Sequence, residues 1–352
     1  MPMKVKKKVE GEVTGQARPT IWDVAKLSGV SIATVSRVLK GQTHYISTET
    51  KGKVLDAVQE LGYVPHRRAP EATPGPTLMI GVTSVAMSID PFTQILEGIT
   101  EALHASNARP VICPIPRRHN CNMTLLERLM HGETTGGLIV GSTERDEDIQ
   151  EALQSGFPCV VIYPERPAHD DIPVVSSADW KGAKTATEYL LELGHTRVGM
   201  VRRSQSHMSQ ERFAGFQSVL LGAGLPLQPD YLYDASGDNK ESGYQAGKHL
   251  LALPEPPTAL FASNDFIAAG LLQAAQEMGV RVPQDLSVVG FGDMSFTTMI
   301  TPELTTVRQP FIEMGRVGVD MLVRLLEGRT LEVTRVELTA RLVVRSSTAP
   351  RH

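Results

Sequence analysis

From Leu78 onward, short apolar runs alternate with longer segments of helical period, and few folds accommodate that alternation. The runs are Leu78–Thr83, Pro110–Cys113, Gly137–Val140, Cys159–Ile162, Arg197–Val201, Ala259–Phe261 and Leu286–Phe291. Between them lie Thr93–Ser106, Trp180–Leu193, Glu211–Leu221, Asp265–Met278 and Phe311–Glu327. A brief apolar run suits a strand covered on both faces, and each longer segment supplies a helix to cover it. Repeated strand and helix predict doubly wound α/β units with parallel sheets, which bind ligands at the carboxyl ends of their strands. Roughly 270 residues is long for one sheet, so two lobes with a cleft between them are expected.

The residues before Leu78 read differently. Residues 1–17 are polar and carry Lys4, Lys6, Lys7 and Lys8, the pattern of a basic flexible arm. Residues 18–65 are dense in helix signals, and 66–76 form a linker that holds Pro70, Pro74, Gly75 and Pro76. Residues 77–352 make the body, its lobes expected at about 77–176 with 310–335 and 177–309 with 336–348. Net charge splits along the same line. Residues 1–76 carry 12 Lys/Arg against 7 Asp/Glu, whereas the whole chain has 35 against 39. A basic head on an acidic body points the head at a polyanion.

Within the head, Thr20 suits a helix N-cap, with Asp23 three residues on in place of the usual Glu of a capping box. Ile21, Val24, Ala25 and Leu27 supply an inward face, and Gly29 suits a sharp turn where positive φ is cheap. Ser31 can cap a second helix that packs through Val35, Val38 and Leu39. A third, about Ser47 to Leu61, places Val54, Leu55, Val58 and Leu61 inside and can end at Gly62. The second helix then turns Ile32, Ala33, Ser36 and Arg37 outward, a face small enough for a DNA major groove. Arg37 can donate two bonds to a guanine edge, and Ile32 and Ala33 can touch thymine methyls. Thr20, Ser31, Thr34 and Ser36 can bond phosphates. A three-helix bundle that binds a protein partner would use the same pattern.

This stretch resembles the lactose/galactose repressor (LacI/GalR) family through Asp23-Val24-Ala25, Gly29-Val30-Ser31 and Thr34-Val35-Ser36-Arg37-Val38-Leu39, continuing to Glu60-Leu61-Gly62-Tyr63-Val64-Pro65. Ser28 stands where the family often has Ala, and the segment around Thr43-His44-Tyr45 is one residue longer than usual. The resemblance implies a repressor that binds pseudo-palindromic operators as a homodimer, with Ile32, Ala33 and Arg37 reading bases. It also implies a minor-groove hinge helix that wedges a Leu into a base step. Here His66, Ala69 and Ala72 stand at the Asn, Ala and Leu positions, and Pro70 interrupts. Alanine is too short to unstack a base step, and proline inside a helix costs about 3 kcal/mol. Weaker operator kinking than the family norm is therefore expected, with Arg67 and Arg68 left to contact phosphates.

The body is similar to the family's effector-binding domain, itself similar to periplasmic sugar-binding proteins. The likeness rests on Asp90-Pro91-Phe92, on Arg212 to Phe216, on Asn264-Asp265 and on Val288 to Asp293. The implied contacts of a small polar effector are Phe92 for stacking, Arg212 as a clamp, Asn264 for vicinal hydroxyls, and Asp293. Asn264 can equally be a helix cap. Gly292 replaces the first Asp of the family's Asp pair, which is expected to leave the site beside Arg212 more positive and to favour a sugar acid or sugar phosphate.

Other classes fare less well. No G-x-G-x-x-G, G-x-x-x-x-G-K-[ST] or H-E-x-x-H motif supports an enzyme. Ten scattered histidines and the unpaired Cys113, Cys121 and Cys159 give no metal or cofactor signature, and reduced cytoplasmic thiols are expected. No secretory leader follows Met1, which weighs against a transport-type binding protein, and no run of roughly 18 apolar residues suggests a membrane span. Control by a phosphorylated carrier protein, as in some family members, stays open.

Overall fold

The computed structural model describes residues 19–39, 46–63, 78–84, 90–114, 124, 127, 129, 133–141, 151, 154–164 and 170–351. The chain divides into two compact units, Met1–Gly75 and Pro76–His352. The arm, the loop around Thr43-His44-Tyr45 and the hinge residues His66, Arg67, Arg68, Ala69, Pro70 and Ala72 lie outside the described residues.

In the first unit, α1 (Ile21–Ser28), α2 (Ile32–Leu39) and α3 (Thr48–Leu61) close around Val24, Val35, Val38, Val54 and Ala57. Gly29 ends α1 at φ 69°, a value L-residues rarely adopt. Leu27 and Leu55, expected inside, are each 46% exposed. The inward stripe of α1 is turned toward Ser28 instead. That buried hydroxyl donates to Val24 O at 2.6 Å, so its burial leaves no polar group unpaired.

The second unit holds two six-stranded sheets. The first is built from β1 (Leu78–Ser84), β2 (Ala108–Pro114), β3 (Gly136–Val140), β4 (Cys159–Ile162), β5 (Val174–Ser177) and β11 (Arg335–Leu338). Its order is β11-β5-β4-β3-β1-β2, with every pairing parallel. Helices α4 (Asp90–Ala105) and α9 (Phe311–Leu326) cover one face through Ile95, Ile99, Met314 and Leu322.

The second sheet is built from β6 (Val198–Arg202), β7 (Leu232–Asp234), β8 (Ala259–Ala262), β9 (Ser287–Gly292), β10 (Thr305–Arg308) and β12 (Arg341–Val343). Its order is β12-β10-β9-β8-β6-β7, and only β12 runs antiparallel. Helices α5 (Asp179–Glu192) and α6 (His207–Gly222) pack on one face around Phe216, Phe261 and Phe291. Helices α7 (Lys240–Leu250) and α8 (Asp265–Glu277) pack on the other around Leu260, Leu271 and Val288.

The chain passes between lobes three times, after β5, after β10 and after β11. The loop after β9 reaches across as well. Met294 and Phe296 join the apolar core of the first lobe, and the Asp90 carboxylate accepts from the Ser295 N–H. No helix among the described residues is long and apolar enough to cross a membrane.

Candidate functional site

In the head, the starts of α1 and α2 are both capped by side chains. The Asp23 carboxylate accepts from the Thr20 N–H at 2.8 Å and the Thr20 hydroxyl at 2.7 Å, which fixes the entry to α1 and holds Asp23 below its usual pKa. Ser31 Oγ accepts from the Thr34 N–H at 3.2 Å and lies 2.9 Å from the Thr34 hydroxyl, capping α2. Arg37 is exposed in the last turn of that helix, with Ser36 half-buried beside it. Ile32 is half-buried and shares its side chain with the core of the unit. The dipole at the start of this helix suits an anion, and the Arg37 side chain is open to solvent.

In the body, the polar residues of interest follow the carboxyl ends of strands. Asp179 follows β5, Tyr163 follows β4, Ser263 and Asn264 follow β8, Asp293 follows β9 and Gln309 follows β10. Arg212 projects from α6 and is 4% exposed. Its Nη1 donates to Ser263 O at 2.5 Å, its Nη2 donates to Asp179 Oδ1 at 3.2 Å, and its guanidinium lies 3.9 Å over the Phe291 ring. Burial pushes the Asp179 carboxyl up, against the opposing charge of Arg212. A cavity of about 200 Å³ lies beside this pair, lined by Tyr163, Ser177, Asp179, His207, Met208 and Glu211 among others.

Two polar atoms at this place lack partners. Among the described residues, Arg212 Nε and Ser263 Oγ are buried without a hydrogen bond, as is Thr83 Oγ1 in β1. The first two belong to residues joined by the Arg212 Nη1–Ser263 O bond, and a bare N–H and a bare hydroxyl can each pair with a ligand oxygen. A larger groove of about 790 Å³ runs past Phe266, Leu272, Phe296 and Ile300 and shares no lining residue with this cavity.

The structure revises three expectations. Arg212 is not left with an uncompensated charge by Gly292, because Asp179 supplies the counter-carboxylate, and the preference for an anionic ligand loses its basis. Phe92 is 5% exposed within the first-lobe core, so its faces are covered by protein and not open for stacking. Asp293 is gripped by Arg345 at 2.6 Å and Arg308 at 2.5 Å. Burial alone would raise its pKa, but the two arginines outweigh that and hold the carboxyl below its usual value. Asn264 caps α8 by accepting from the Ile267 N–H at 2.8 Å, while its amide donates to Asp238 at 3.1 Å. Among the described residues no group of three or more His, Cys, Asp or Glu gathers as a metal site.

A helix-turn-helix unit joined to a two-lobed body of the periplasmic-binding type defines a ligand-responsive DNA-binding regulator. Residues 20–66 match the model of bacterial regulatory proteins of the lacI family, and residues 187–348 match the periplasmic binding protein-like domain. The ribose operon repressor of Escherichia coli (strain K12) is 31% identical over 335 residues, covering 93% of this chain and 99% of that one. A solved CelR–cellobiose complex aligns over 94% of this chain and 100% of its own, at 28% identity and a TM-score of 0.68. The lac repressor dimer bound to operator and the anti-inducer ONPF aligns over 95% and 100%, at 28% identity and a TM-score of 0.67. The chain belongs to the LacI family of bacterial regulatory proteins.

Proposed function

We propose that this chain is a cytoplasmic transcriptional repressor that acts as a homodimer on a pseudo-palindromic operator. A small, polar, carbohydrate-derived effector held beside Arg212 sets its grip on DNA. The observation that carries the reading is the capped helix starting at Ser31 with Arg37 exposed, on the same chain as a cavity lined by Asp179, the carboxylate partner of a buried Arg212 whose Nε has no hydrogen bond. Arg37, Ala33 and the outer part of Ile32 read base edges. Thr20, Ser31, Thr34 and Ser36 position the headpiece on phosphates, with Arg67 and Arg68 further along the chain. Two headpieces related by a two-fold axis then meet two half-sites. Arg212, Ser263 and Asn264 contact the effector, and no catalytic step is involved. The names of the relatives support this: one represses a ribose operon, one is solved with cellobiose, one is a dimer on its operator.

The reading is tested by two measurements. Selection from randomised duplexes should return a palindrome, and Arg37→Ala should relax preference at one base pair per half-site by about 1–3 kcal/mol. A thermal-shift screen with D-ribose, cellobiose, uronic acids and nucleosides should give a hit that Arg212→Lys weakens. Failure to retain any duplex at low salt, with or without these compounds, sinks the proposal.

A further inference from the structure

One oxygen atom links the proposed effector contact to two of the three passages between lobes. Asp179 Oδ1 accepts from Arg212 Nη2, from Gln309 Nε2 and from Ser177 Oγ, each at 3.2 Å. Ser177 and Asp179 flank the first passage, and Gln309 sits in the second. The third is tied in next door, where the Ala178 N–H donates to Leu338 O at 2.8 Å. From the first lobe, the Tyr163 hydroxyl donates to Gln309 Oε1 at 3.5 Å. Asp179, Arg212 and Gln309 are all buried, so these bonds are not exchanged freely with water.

We infer that Asp179 is the positioning residue that passes occupancy of the cleft, felt at Arg212, to the chain passages that join the two lobes. The inference rests on the reading of Arg212 as an effector contact. The physical reason is competition for the guanidinium. A ligand oxygen that draws in the bare Nε pulls the fork away from Asp179 Oδ1. That oxygen then loses its charged donor, while Gln309 and Ser177 remain. The carboxylate must rebalance on the donors that belong to the passages, so the energy of holding the lobes in this arrangement changes with occupancy. Such a differential contact is what a ligand needs to move a conformational equilibrium.

The test needs no effector. Hydrogen–deuterium exchange is followed on the full chain in Arg212→Lys, in Gln309→Met and in the double variant. Both single variants should speed exchange about tenfold at the amides of Gln309, Phe311 and Ile312, the loss expected for one charge-assisted hydrogen bond. Exchange across Val288–Phe291, which lies under Arg212 in the same sheet, should stay unchanged. The double variant should be no faster than either single one, because both act on one oxygen. If Arg212→Lys does not fold, Gln309→Met with Asp179→Asn makes the same cycle. Wild-type exchange at Gln309 in a folded variant, equal loosening at Val288–Phe291, or additive effects would each overturn the inference. A ligand screen without hits would count against the effector reading alone and leave the exchange result standing.

Discussion

Asp265 and Thr306 are joined side chain to side chain, the Thr306 hydroxyl donating to Asp265 Oδ1 at 2.6 Å inside the second lobe. The other carboxylate oxygen accepts from the Met294 N–H at 2.8 Å, so one buried acid pins the loop that reaches into the first-lobe core. Burial pushes this carboxyl up to about 6, with the two hydrogen bonds working against the shift. An acid raised in the folded state binds its proton more tightly there than in the unfolded chain. Its contribution to stability is therefore full below pH 4 and is lost as pH rises through 6, at about 1.4 kcal/mol per pH unit across that window. Urea midpoints of the wild type should fall between pH 4 and pH 6.5, and Asp265→Asn should flatten most of that slope. Asp179, shifted the same way, accounts for a remainder. An unchanged slope in Asp265→Asn would show that this carboxyl does not titrate in the window.

The grip on Asp293 is uneven. Arg345 is largely buried with it, whereas the Arg308 side chain is 59% exposed. Asp293→Ala strands the buried Arg345 without a counter-charge and should cost about 3–5 kcal/mol. Arg308→Ala removes a solvent-screened partner and should cost less than about 1 kcal/mol. Chemical denaturation of the two variants side by side checks the order, and equal losses would contradict it.

Ser31 and Arg37 sit on one helix but should fail differently. Ser31→Ala removes the cap on the Thr34 N–H and should cost about 1 kcal/mol in headpiece stability. With Ser31 in its proposed place on a phosphate, binding should also weaken on all duplexes alike. Arg37→Ala should leave headpiece melting unchanged while altering preference at one position. Fluorescence anisotropy on operator and scrambled duplexes separates the two patterns.

How much of this was legible in the sequence depends on burial. Strands such as Gly136–Val140 are covered on both faces and read as apolar runs. β11 and β12 lie at sheet edges, hold only exposed and half-buried residues, and carry no such run. Helix Lys240–Leu250 is hard to read from the sequence because Gly243 and Gly247 weaken its helical signal. In the fold Gly243 is needed: a Cβ there would lie 2.1 Å from Ile267 O of the helix packed against it. Arg37 and Arg212 stand in local motifs and could be picked out. Asp179 and Gln309 could not, because the bonds that give them meaning span 33 and 130 positions in the chain.

Gly292 is the departure from the family pattern that the structure explains. Its φ is +134°, a region L side chains rarely adopt, and a Cβ would lie 2.8 Å from Met294 Cε and 3.1 Å from Asp265 Oδ2. Restoring the usual Asp is therefore not a harmless reversion. Gly292→Ala should destabilise through backbone strain and crowding of Met294 at any pH. Gly292→Asp adds a second carboxyl against Asp265, and two adjacent carboxylates cannot both ionise cheaply. At pH 5 Asp265 holds its proton and the repulsion is largely absent; at pH 7 it is ionised in the wild type and the repulsion is felt. The gap in urea midpoint between the Asp and Ala variants should thus widen from pH 5 to pH 7. A gap that is constant across that range would mean that the cost is steric alone and that the Asp265 charge does not reach position 292.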